Sequence, residues 1–317
     1  MAGPSLDDIR DAAHTLEGVA SRTPLVRVPG PEGCSFLLKC EQLQPVGAFK
    51  LRGAYTAVAR LGDRRRAGVV TSSSGNHGLA LAWSARAFGV RAVVVMPETA
   101  AAVKVEAVER QGGEVVFAGR TRSPEQTERA EALAREEGLA LVPPFDHPDV
   151  IAGQATCGLE ILEDAPDVTT LLVPVGGGGL LAGISAAVAA VKPSVRVIGV
   201  EPEGAAKLSA ALAAGAPVTL AGTESVADGL LTRSIGRLTW DVLAPVVREA
   251  VRVTELEIGA GVRHLYERAG LVVEPSGAVT TAALLAGRAP VEGVVVAVAT
   301  GGNVDPAVFQ RLLHADL

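Results

Sequence analysis

Residues 169–191 have the sequence "TTLLVPVGGGGLLAGISAAVAAV", an uncharged run that by length alone could span a bilayer. Four consecutive glycines, Gly176–Gly179, interrupt the run, and each glycine in a helix interior costs up to about 1 kcal/mol relative to alanine. A membrane helix is therefore disfavoured. The run instead predicts a buried strand, a glycine loop and a helix, in that order.

The same alternation of strand and helix extends over the chain. Short β-branched runs are separated by Ala-, Leu-, Glu- and Arg-rich segments of helical length. These runs cover residues 68–72, 91–97, 114–119, 170–175, 195–201 and 293–300. Continuous apolar strands between helices are typical of parallel sheets that are covered on both faces. The sequence therefore predicts an α/β fold.

Two α/β units are expected within this fold. One unit can form from the middle of the chain, which then returns near residues 143–154 to a larger unit. We expect a discontinuous large domain, residues 1–60 and 147–317, and a small domain, residues 61–146. Open α/β folds bind ligands at the carboxyl ends of their strands, so the active site is expected in the cleft between the two domains.

Composition and charge exclude several classes of protein. The chain has 317 residues, with 29 Lys+Arg against 35 Asp+Glu, a net charge of −6 and a pI near 5.5. This acidic balance gives no electrostatic basis for binding nucleic acid or an anionic membrane. Cys34, Cys40 and Cys157 have neither metal-type spacing nor an even number, and residues 1–18 lack the apolar core of a signal peptide. We therefore expect reduced thiols in a cytoplasmic protein without a zinc site.

A serine-rich loop follows the run at residues 68–72. In "TSSSGNHGLALAW", residues 71–83, three hydroxyls, a glycine and an asparagine precede a helix that we expect to begin near His77. Backbone N–H groups at a helix start suit an anion such as a carboxylate. The alternative is that Ser and Asn merely cap the helix, and a lone histidine is more often structural than catalytic. The surplus of capping residues favours a ligand site. Its residues are Ser72, Ser73, Ser74, Gly75, Asn76 and His77.

Two interpretations of the glycine loop stay open on the residues alone. Glycines let backbone N–H groups approach a phosphate closely. However, Gly177, Gly179 and Ala182 also match the G-x-G-x-x-A pattern of dinucleotide-binding folds. Glu201 ends the next strand about 20 residues later, where such folds carry an acidic residue. Taken alone, this region supports an NAD-dependent dehydrogenase almost as well as a phosphate site.

A lysine and a threonine complete the set of candidate residues. In "VGAFKLRGAY", residues 46–55, Lys50 follows Phe49 at an apolar helix start. Burying a lysine costs several kcal/mol unless it is paired, neutralised or used in chemistry, so Lys50 is either a surface residue or an amine kept for a reaction. Thr300 begins the turn in "TGGN", residues 300–303, where a turn role is the simpler interpretation.

Seven motifs occur in an order and spacing that carry a family resemblance. They are "GAFKLRGA" (47–54), "SSSGNHG" (72–78), "PFDHPDVIAGQAT" (144–156), "VPVGGGGLLAGI" (173–184), "VADG" (226–229), "SIGRLTWDVL" (234–243) and "ATGGN" (299–303). Together they resemble the fold-type II pyridoxal-phosphate enzymes, specifically the branch of serine/threonine dehydratases and serine racemase. The resemblance covers about residues 23–305. It implies a fold like that of the tryptophan synthase β-subunit, pyridoxal 5'-phosphate as cofactor and a homodimer.

The resemblance also implies a role for each candidate residue. Lys50 would form a Schiff base with the cofactor, and Phe49 could pack against the ring. Asn76 would hydrogen-bond the ring hydroxyl, and Thr300 would face the pyridine nitrogen. The cofactor phosphate would be held by Gly176, Gly177, Gly178 and Gly179.

The expected reaction is β-elimination of water from L-threonine or L-serine, which gives a 2-oxo acid and ammonia. The substrate carboxylate would lie on residues 72–77, and Lys50 would remove the α-proton. A hydroxyl at Thr300 cannot hold the ring nitrogen protonated, so the cofactor is a weaker electron sink and loss of a β-leaving group is favoured. Ser74 matches the position that in racemases protonates the opposite face of the α-carbon. Serine racemase is therefore the alternative.

Two positions depart from the pattern of the family. Ala48 replaces the more frequent serine before the Phe-Lys pair, which removes one possible contact near the substrate carboxylate. Lys207 stands where racemase relatives carry the second carboxylate of a divalent-cation site, while Glu201 is present. We expect the Lys207 ammonium to pair with Glu201 in place of the cation, and hence no metal site.

Overall fold

The strands of the protein form two separate sheets. A computed structural model describes residues 3–121 and 123–314. In chain order the strands are Leu25–Pro29 (β1), Ser35–Cys40 (β2), Val69–Ser72 (β3), Ala92–Met96 (β4), Glu114–Phe117 (β5), Ala140–Leu141 (β6), Val168–Pro174 (β7), Arg196–Pro202 (β8), Glu249–Val253 (β9) and Val294–Ala299 (β10). One sheet has six strands in the order β1-β2-β10-β7-β8-β9. The other has four strands in the order β5-β4-β3-β6.

Helices connect most of the strands. In chain order the α-helices are Leu6–Thr15 (α1), Lys50–Arg60 (α2), Asn76–Ala87 (α3), Ala102–Glu109 (α4), Glu125–Glu137 (α5), Pro148–Asp164 (α6), Gly179–Val191 (α7), Lys207–Ala214 (α8), Arg237–Leu243 (α9), Glu255–Ala269 (α10), Pro275–Leu285 (α11) and Pro306–His314 (α12). The helix starts predicted at Lys50 and near His77 are confirmed, because α2 begins at Lys50 and α3 begins at Asn76.

Parallel pairing dominates both sheets, as the apolar runs indicate. All neighbouring strands of the four-stranded sheet are parallel, and so are those from β2 to β9 in the six-stranded sheet. β1 is the exception, since it pairs antiparallel with β2 at the sheet edge. Glu32 (φ 53°) and Gly33 (φ 78°) adopt left-handed backbone between these two strands and reverse the chain. The predicted α/β fold with two parallel-sheet domains is confirmed, with one antiparallel edge strand.

The six-stranded sheet is discontinuous in sequence. Its strands come from residues 25–40 and 168–299, whereas those of the four-stranded sheet come from residues 69–141. The boundaries expected after residues 60 and 146 fall between these groups of strands, and they stay a prediction. α2 packs against both α3 and α6, so this helix lies where the two units meet.

Alternate residues of the central strands supply two hydrophobic cores. In β7, Leu171 and Val173 pack into a core shared with α6 and α7, whereas Leu172 packs into a core shared with α10 and α11. In β10, Val296 and Ala297 divide in the same way. Successive side chains of a strand point to opposite faces, so helices bury this sheet on both sides. The carboxyl ends of β7 and β10 are left at one edge, where their loops can meet.

Candidate active site

The segment before Lys50 is fixed to the loop that follows β10. The Phe49 N–H donates to the Thr300 carbonyl at 3.0 Å, and the Gly302 N–H donates to the Gly47 carbonyl at 2.9 Å. Ala48 also forms an isolated antiparallel bridge with Gly301. The first residue of α2 is therefore held at the carboxyl end of β10, although about 250 residues separate the two in sequence.

The Lys50 amine is partly buried and has no acidic partner. Its Nζ donates to the Pro144 carbonyl at 2.6 Å and lies 5.1 Å from the centre of the Phe49 ring. Within the described ranges, no carboxylate forms an ion pair with it. Burial lowers the pKa of Lys50 to about 8. An amine with such a pKa is partly neutral near neutral pH and can act as a nucleophile or a base.

The serine-rich loop joins the carboxyl end of β3 to the start of α3. Ser72 ends β3, and the Ser73 N–H continues the pairing by donating to the Val95 carbonyl at 3.1 Å. Ser74 follows, and Gly75 is the residue before α3. No side chain caps the helix there, which disfavours the interpretation of these serines as capping residues. The first-turn N–H groups of α3 therefore suit an anionic ligand.

The His77 ring has a structural environment. The side chain is 2% exposed, and Nε2 lies 3.1 Å from the Val142 carbonyl oxygen. Burial, followed by the nearby charge of Lys50, lowers the pKa of His77 to about 3, so the ring stays neutral. The ring supports the segment that carries Pro144. The substrate role expected of His77 stays a prediction, and the ring itself is occupied by this contact.

Asn76 links the two sheets. Its Nδ2 donates to Glu274 Oε1 at 2.8 Å, and its Oδ1 accepts from Asn303 Nδ2 at 2.9 Å. Asn303 Nδ2 also donates to the Val46 carbonyl at 2.9 Å. Asn76 begins α3, which follows a strand of the four-stranded sheet. Asn303 lies in the loop after β10 of the six-stranded sheet, and Glu274, before α11, is bonded to the same loop at Gly301. The loops at the carboxyl ends of both sheets therefore meet at this amide.

The glycine loop is covered on one side by an aromatic ring. Gly176–Gly178 follow β7, and Gly178 has a φ of 96°, which a side chain would strain. A Cβ atom on Gly177 would overlap the ring of Phe145, and one on Gly179 would lie 3.0 Å from Phe145 Cβ. Glycine is thus required at residues 177 and 179 because Phe145 packs directly against the loop. The first N–H groups of α7 stand at this loop and suit a phosphate.

Thr300 lies beside the turn of the "VADG" motif. It is 4% exposed, and its Oγ1 donates to the Ser276 carbonyl at 3.4 Å. Ser276 Oγ in turn accepts from the Gly229 N–H at 2.9 Å. A Cβ atom on Gly176 would lie 3.2 Å from the Gly229 carbonyl oxygen. Thr300 and the glycine loop are therefore joined through Ser276 and Gly229.

The environment of Glu201 argues against the dinucleotide interpretation. Glu201 is 0% exposed, and its two carboxylate oxygens accept from the main-chain N–H groups of Leu208 and Ser209, at 2.8 Å each. A dinucleotide-binding fold needs this carboxylate free to bind a ribose hydroxyl. Here the carboxylate caps α8 instead.

The ion pair expected between Lys207 and Glu201 is wrong. Lys207 Nζ donates to the carbonyls of Ala205 and Leu230, at 2.7 Å each. Because main-chain groups already satisfy both side chains, Glu201 acts on the ammonium only as a nearby charge. Burial lowers the pKa of Lys207 to about 8, while Glu201 opposes this change. In the described part of the chain, no group of three or more His, Cys, Asp or Glu side chains could hold a metal ion.

Some residues of this site carry no individual signal in the sequence. Glu274 and Ser276 belong to "EPSGAV", a segment outside every motif quoted above. The one available sign is Pro275, which suits the first position of a helix and places Glu274 at the helix start. Pro144 contributes its main-chain carbonyl, which accepts from Lys50, and Asn303 contributes the amide that donates to Asn76. Their positions become apparent only when the loops are brought together.

The donors and acceptors of this site suit one particular cofactor. A buried amine can bind an aldehyde, a glycine loop at a helix start can bind a phosphate, and an amide with a hydroxyl can bind a polar aromatic ring. The fold and the site together define a pyridoxal-phosphate enzyme of fold type II. The chain belongs to the family described as "Pyridoxal-phosphate dependent enzyme", whose model matches residues 16–301, and its cofactor is pyridoxal 5'-phosphate.

Several characterised proteins are similar to the chain over nearly its whole length. It is 39% identical to an L-threonine ammonia-lyase of Thermotoga maritima, over 99% of this chain and 79% of the relative. It is 38% identical to an L-threo-3-hydroxyaspartate ammonia-lyase of a Pseudomonas species, over 98% of each chain. The structure of maize serine racemase superimposes with a TM-score of 0.92 at 34% identity, over 98% of this chain and 96% of the other.

No helix in the described ranges is long and apolar enough to cross a membrane.

Proposed function

We propose that this protein is a threonine/serine ammonia-lyase that removes water from L-threonine or L-serine and yields a 2-oxo acid and ammonia. One observation carries the proposal: the Lys50 amine, with its lowered pKa, donates to the carbonyl of Pro144, whose neighbour Phe145 packs on the glycine loop, and its charge acts on His77 in the first turn of α3. The naming of a relative at 39% identity as an L-threonine ammonia-lyase supports the same activity.

The candidate residues would divide the work of holding the cofactor. Lys50 would bind it covalently as a Schiff base, and Phe49 would pack near its ring. The N–H groups of Gly176–Gly179 would hold the phosphate at the start of α7. Asn76 would hydrogen-bond the ring hydroxyl, and Thr300 would face the pyridine nitrogen. Bound pyridoxal phosphate supplies an electron sink for the pair left when the α-proton is removed.

The substrate would be oriented by its carboxylate. The carboxylate would lie on residues 72–77. The N–H groups of Ser73 and Gly75 already donate to the Val95 carbonyl and to Ser73 Oγ, so the N–H groups in the first turn of α3 would bind it. The hydroxyls of Ser72, Ser73 and Ser74 can also donate. Once the substrate amine has displaced it, the free Lys50 amine would remove the α-proton as a general base. The Phe145 ring covers one side of the glycine loop and would exclude water from the phosphate.

The hydroxyl of Thr300 favours elimination over longer-lived carbanion chemistry. A carboxylate in this position would hold the pyridine nitrogen protonated, whereas a threonine hydroxyl cannot. An unprotonated pyridine nitrogen can only accept a hydrogen bond, so the Thr300 hydroxyl would turn from its long 3.4 Å contact with the Ser276 carbonyl and donate to the nitrogen. A weaker electron sink suits a reaction in which the β-hydroxyl leaves soon after the proton.

Serine racemase is the second candidate function. Ser74 lies in the loop between β3 and α3, and the resemblance assigns this position to the acid that protonates the other face of the α-carbon. The 34% identity to maize serine racemase supports this alternative. Both activities would use the same cofactor site. Elimination is preferred because the sequence "PFD" (144–146) resembles that of the dehydratases.

Product analysis tests the proposal. The protein loaded with pyridoxal phosphate is incubated separately with L-threonine, L-serine and L-threo-3-hydroxyaspartate, and the 2-oxo acid and ammonia are quantified. Chiral chromatography of the L-serine reaction measures D-serine in the same samples. We expect equal amounts of 2-oxo acid and ammonia from L-threonine or L-serine, in excess of any D-serine. D-serine as the main product would support the racemase, and no product from any substrate would contradict both proposals.

The assembly, location and domain boundaries belong to the same proposal. We propose a cytoplasmic homodimer that acts on a small amino acid and requires no nucleic acid, membrane or metal partner. The domain limits are those expected above, 1–60 with 147–317 for the large domain and 61–146 for the small one. Light scattering coupled to gel filtration would test the dimer, and limited proteolysis would test the boundaries.

A further inference from the structure

Glu274 is a buried carboxyl group beside the residues proposed to hold the cofactor ring. It is 6% exposed and directly precedes Pro275, the first residue of α11. Its main-chain N–H donates to the Gly301 carbonyl at 2.9 Å, which attaches it to the loop after β10. A Cβ atom on Gly301 would overlap Glu274 Oε1, so the carboxyl fills the space that the glycine leaves. The main-chain bond and the packing against Gly301 therefore fix the position of the Glu274 side chain.

No cation neutralises this carboxyl group. Within the described ranges, no basic side chain forms an ion pair with Glu274. The charged groups that act on it are Asp228, in the 3-10 turn Asp228–Leu230, and Lys104, in α4, and these two form an ion pair with each other. Burial, followed by the charge of Asp228, raises the pKa of Glu274 to about 8, although the Asn76 hydrogen bond and Lys104 oppose this change. The carboxyl group is therefore mostly uncharged at neutral pH.

The Asn76 amide is held at both ends. Its Oδ1 accepts from Asn303, and one hydrogen of its Nδ2 is directed to Glu274 Oε1 at 2.8 Å. A side-chain amide has two N–H groups, so a second one remains for a ligand. The bond to Glu274 fixes the direction of the second N–H. Glu274 therefore influences a ligand of Asn76 only by orienting the Asn76 amide, and it does not contact the ligand itself.

Resting on the proposed function, we propose that Glu274 is a positioning residue: its uncharged carboxyl orients the Asn76 amide toward the ring of the bound cofactor, and its ionisation adds a negative charge beside that ring. A nearby anion favours the protonated forms of neighbouring nitrogens. Ionisation of Glu274 therefore changes the visible absorption spectrum of the bound cofactor.

The Glu274→Gln variant separates the hydrogen bond from the charge. Glutamine keeps an oxygen that accepts from Asn76 but cannot ionise. At pH 6.5 we expect the variant to bind pyridoxal phosphate with a dissociation constant within about threefold of the parent value, because the parent carboxyl is uncharged there. Between pH 6.5 and 9.5 the parent spectrum changes with a midpoint near pH 8, the pKa of Glu274, and the variant lacks this change.

Glu201→Gln is the matched control. Glu201 is also a buried carboxyl, but it hydrogen-bonds the main chain of α8 and not Asn76 or another side chain proposed to hold the cofactor. The control variant is expected to keep the spectral change of the parent. If the Glu274→Gln variant titrates like the parent, the proposal is overturned. It is overturned equally if the folded variant binds the cofactor more than about tenfold more weakly at pH 6.5, since the charge would then be needed for binding.

A second measurement uses the protein without cofactor. Folding raises the pKa of Glu274 from 4.5 to about 8, so the folded protein holds a proton that the unfolded chain releases in this range. The parent therefore loses stability relative to the Glu274→Gln variant as the pH rises from about 5 to 8, in urea unfolding. If the difference in the free energy of unfolding between parent and variant stays constant over this pH range, Glu274 is not uncharged at neutral pH and the proposal is overturned. Because no cofactor is present, this result is independent of the proposed function, which fails instead if the parent binds no pyridoxal phosphate.

Asn303→Ala serves if the Glu274→Gln variant does not fold. It releases the Asn76 amide at its other end while leaving Glu274 intact. We expect the dissociation constant of pyridoxal phosphate to rise about tenfold, since one hydrogen bond that holds the amide is lost. An unchanged dissociation constant in the folded Asn303→Ala variant would overturn the role of this amide chain.

Discussion

Lys50 and Lys207 are two buried lysines in similar chemical surroundings with different access. Both follow strands of the six-stranded sheet in space, Lys50 at the end of β10 and Lys207 after β8, and burial lowers the pKa of each to about 8. Lys207 is 0% exposed and donates to two main-chain carbonyls. Lys50 is partly exposed, and the structure gives it one carbonyl acceptor, that of Pro144.

The difference teaches that a lowered pKa alone does not identify a reactive amine. Lys207 is enclosed, and its ammonium joins the start of α8 to the turn that contains Leu230. Lys50 is partly exposed and lies beside the loop after β10 and the segment that carries Pro144. Access and the number of acceptors therefore separate the amine that we propose to react, Lys50, from the enclosed one, Lys207. Each prediction below would either break this contrast or sharpen it.

The largest effect is expected from Lys50→Ala. The variant should keep the fold and lose turnover by on the order of 10³-fold or more, because the covalent anchor and the base for the α-proton disappear together. Formation of the 2-oxo acid from L-threonine measures the loss, and circular dichroism checks the fold. Substantial turnover without any added amine would remove Lys50 from the reaction and break the contrast.

Lys207→Met should affect stability instead of chemistry. The substitution keeps an unbranched side chain that is one atom shorter, and it leaves the carbonyls of Ala205 and Leu230 without their donor. We expect a loss of about 2 kcal/mol in the free energy of unfolding, since each unpaired buried acceptor costs about 1–3 kcal/mol and the cost of burying an amine is removed. Urea unfolding measures this change. A variant as stable as the parent would mean that the two hydrogen bonds contribute nothing net.

Capture of the cofactor should depend on pH through Lys50. Attack on the aldehyde requires the neutral amine, so the rate should rise about tenfold per pH unit below the pKa of about 8 and level off above it. Stopped-flow absorbance after mixing apo-protein with pyridoxal phosphate measures the rate. The Lys207→Met variant provides the control, with the same profile expected. A profile that still rises at pH 10 would indicate an unperturbed lysine.

Chelation should have the smallest effect. Main-chain N–H groups bind both carboxylate oxygens of Glu201, and main-chain carbonyls bind the Lys207 ammonium, so treatment with EDTA and later addition of Mg²⁺ should leave turnover within about twofold. Assays with L-threonine before and after dialysis test this. A loss of activity that Mg²⁺ restores would show that a metal binds, and the role given to the Lys207 ammonium would then be wrong.

The sequence predicts the parts of this molecule that rest on local pattern. β7, β8 and β10 are continuous apolar runs because the sheet is covered on both faces, and the start of α2 at Lys50 follows from helix-forming residues. β1 and β2 are harder to predict, since they form an edge hairpin that carries Arg27 and Lys39. β6 has two residues and no periodicity to detect.

The site was predictable only where a side chain acts within its own motif. The glycine loop and the serine-rich loop can be identified from their composition. The bond between Asn76 and Glu274 joins residues 198 positions apart, and no local pattern encodes it. The acceptors of Lys207 are main-chain carbonyls, which every residue carries, so the sequence suggested Glu201 as the partner instead. Acceptors of this kind become identifiable only from the folded backbone.

The central position of β10 has a consequence for how the chain is made. β10 pairs with β2 on one side and β7 on the other, and among the described strands it comes last in sequence. About 250 residues after β2 must be synthesised before this gap closes, which at cellular rates takes on the order of ten seconds or more. During that time β2 and β7 expose unpaired edges to other nascent chains and to chaperones. Lys50 meets its neighbours after β10 only once β10 has been synthesised, so this side of the site forms late in folding.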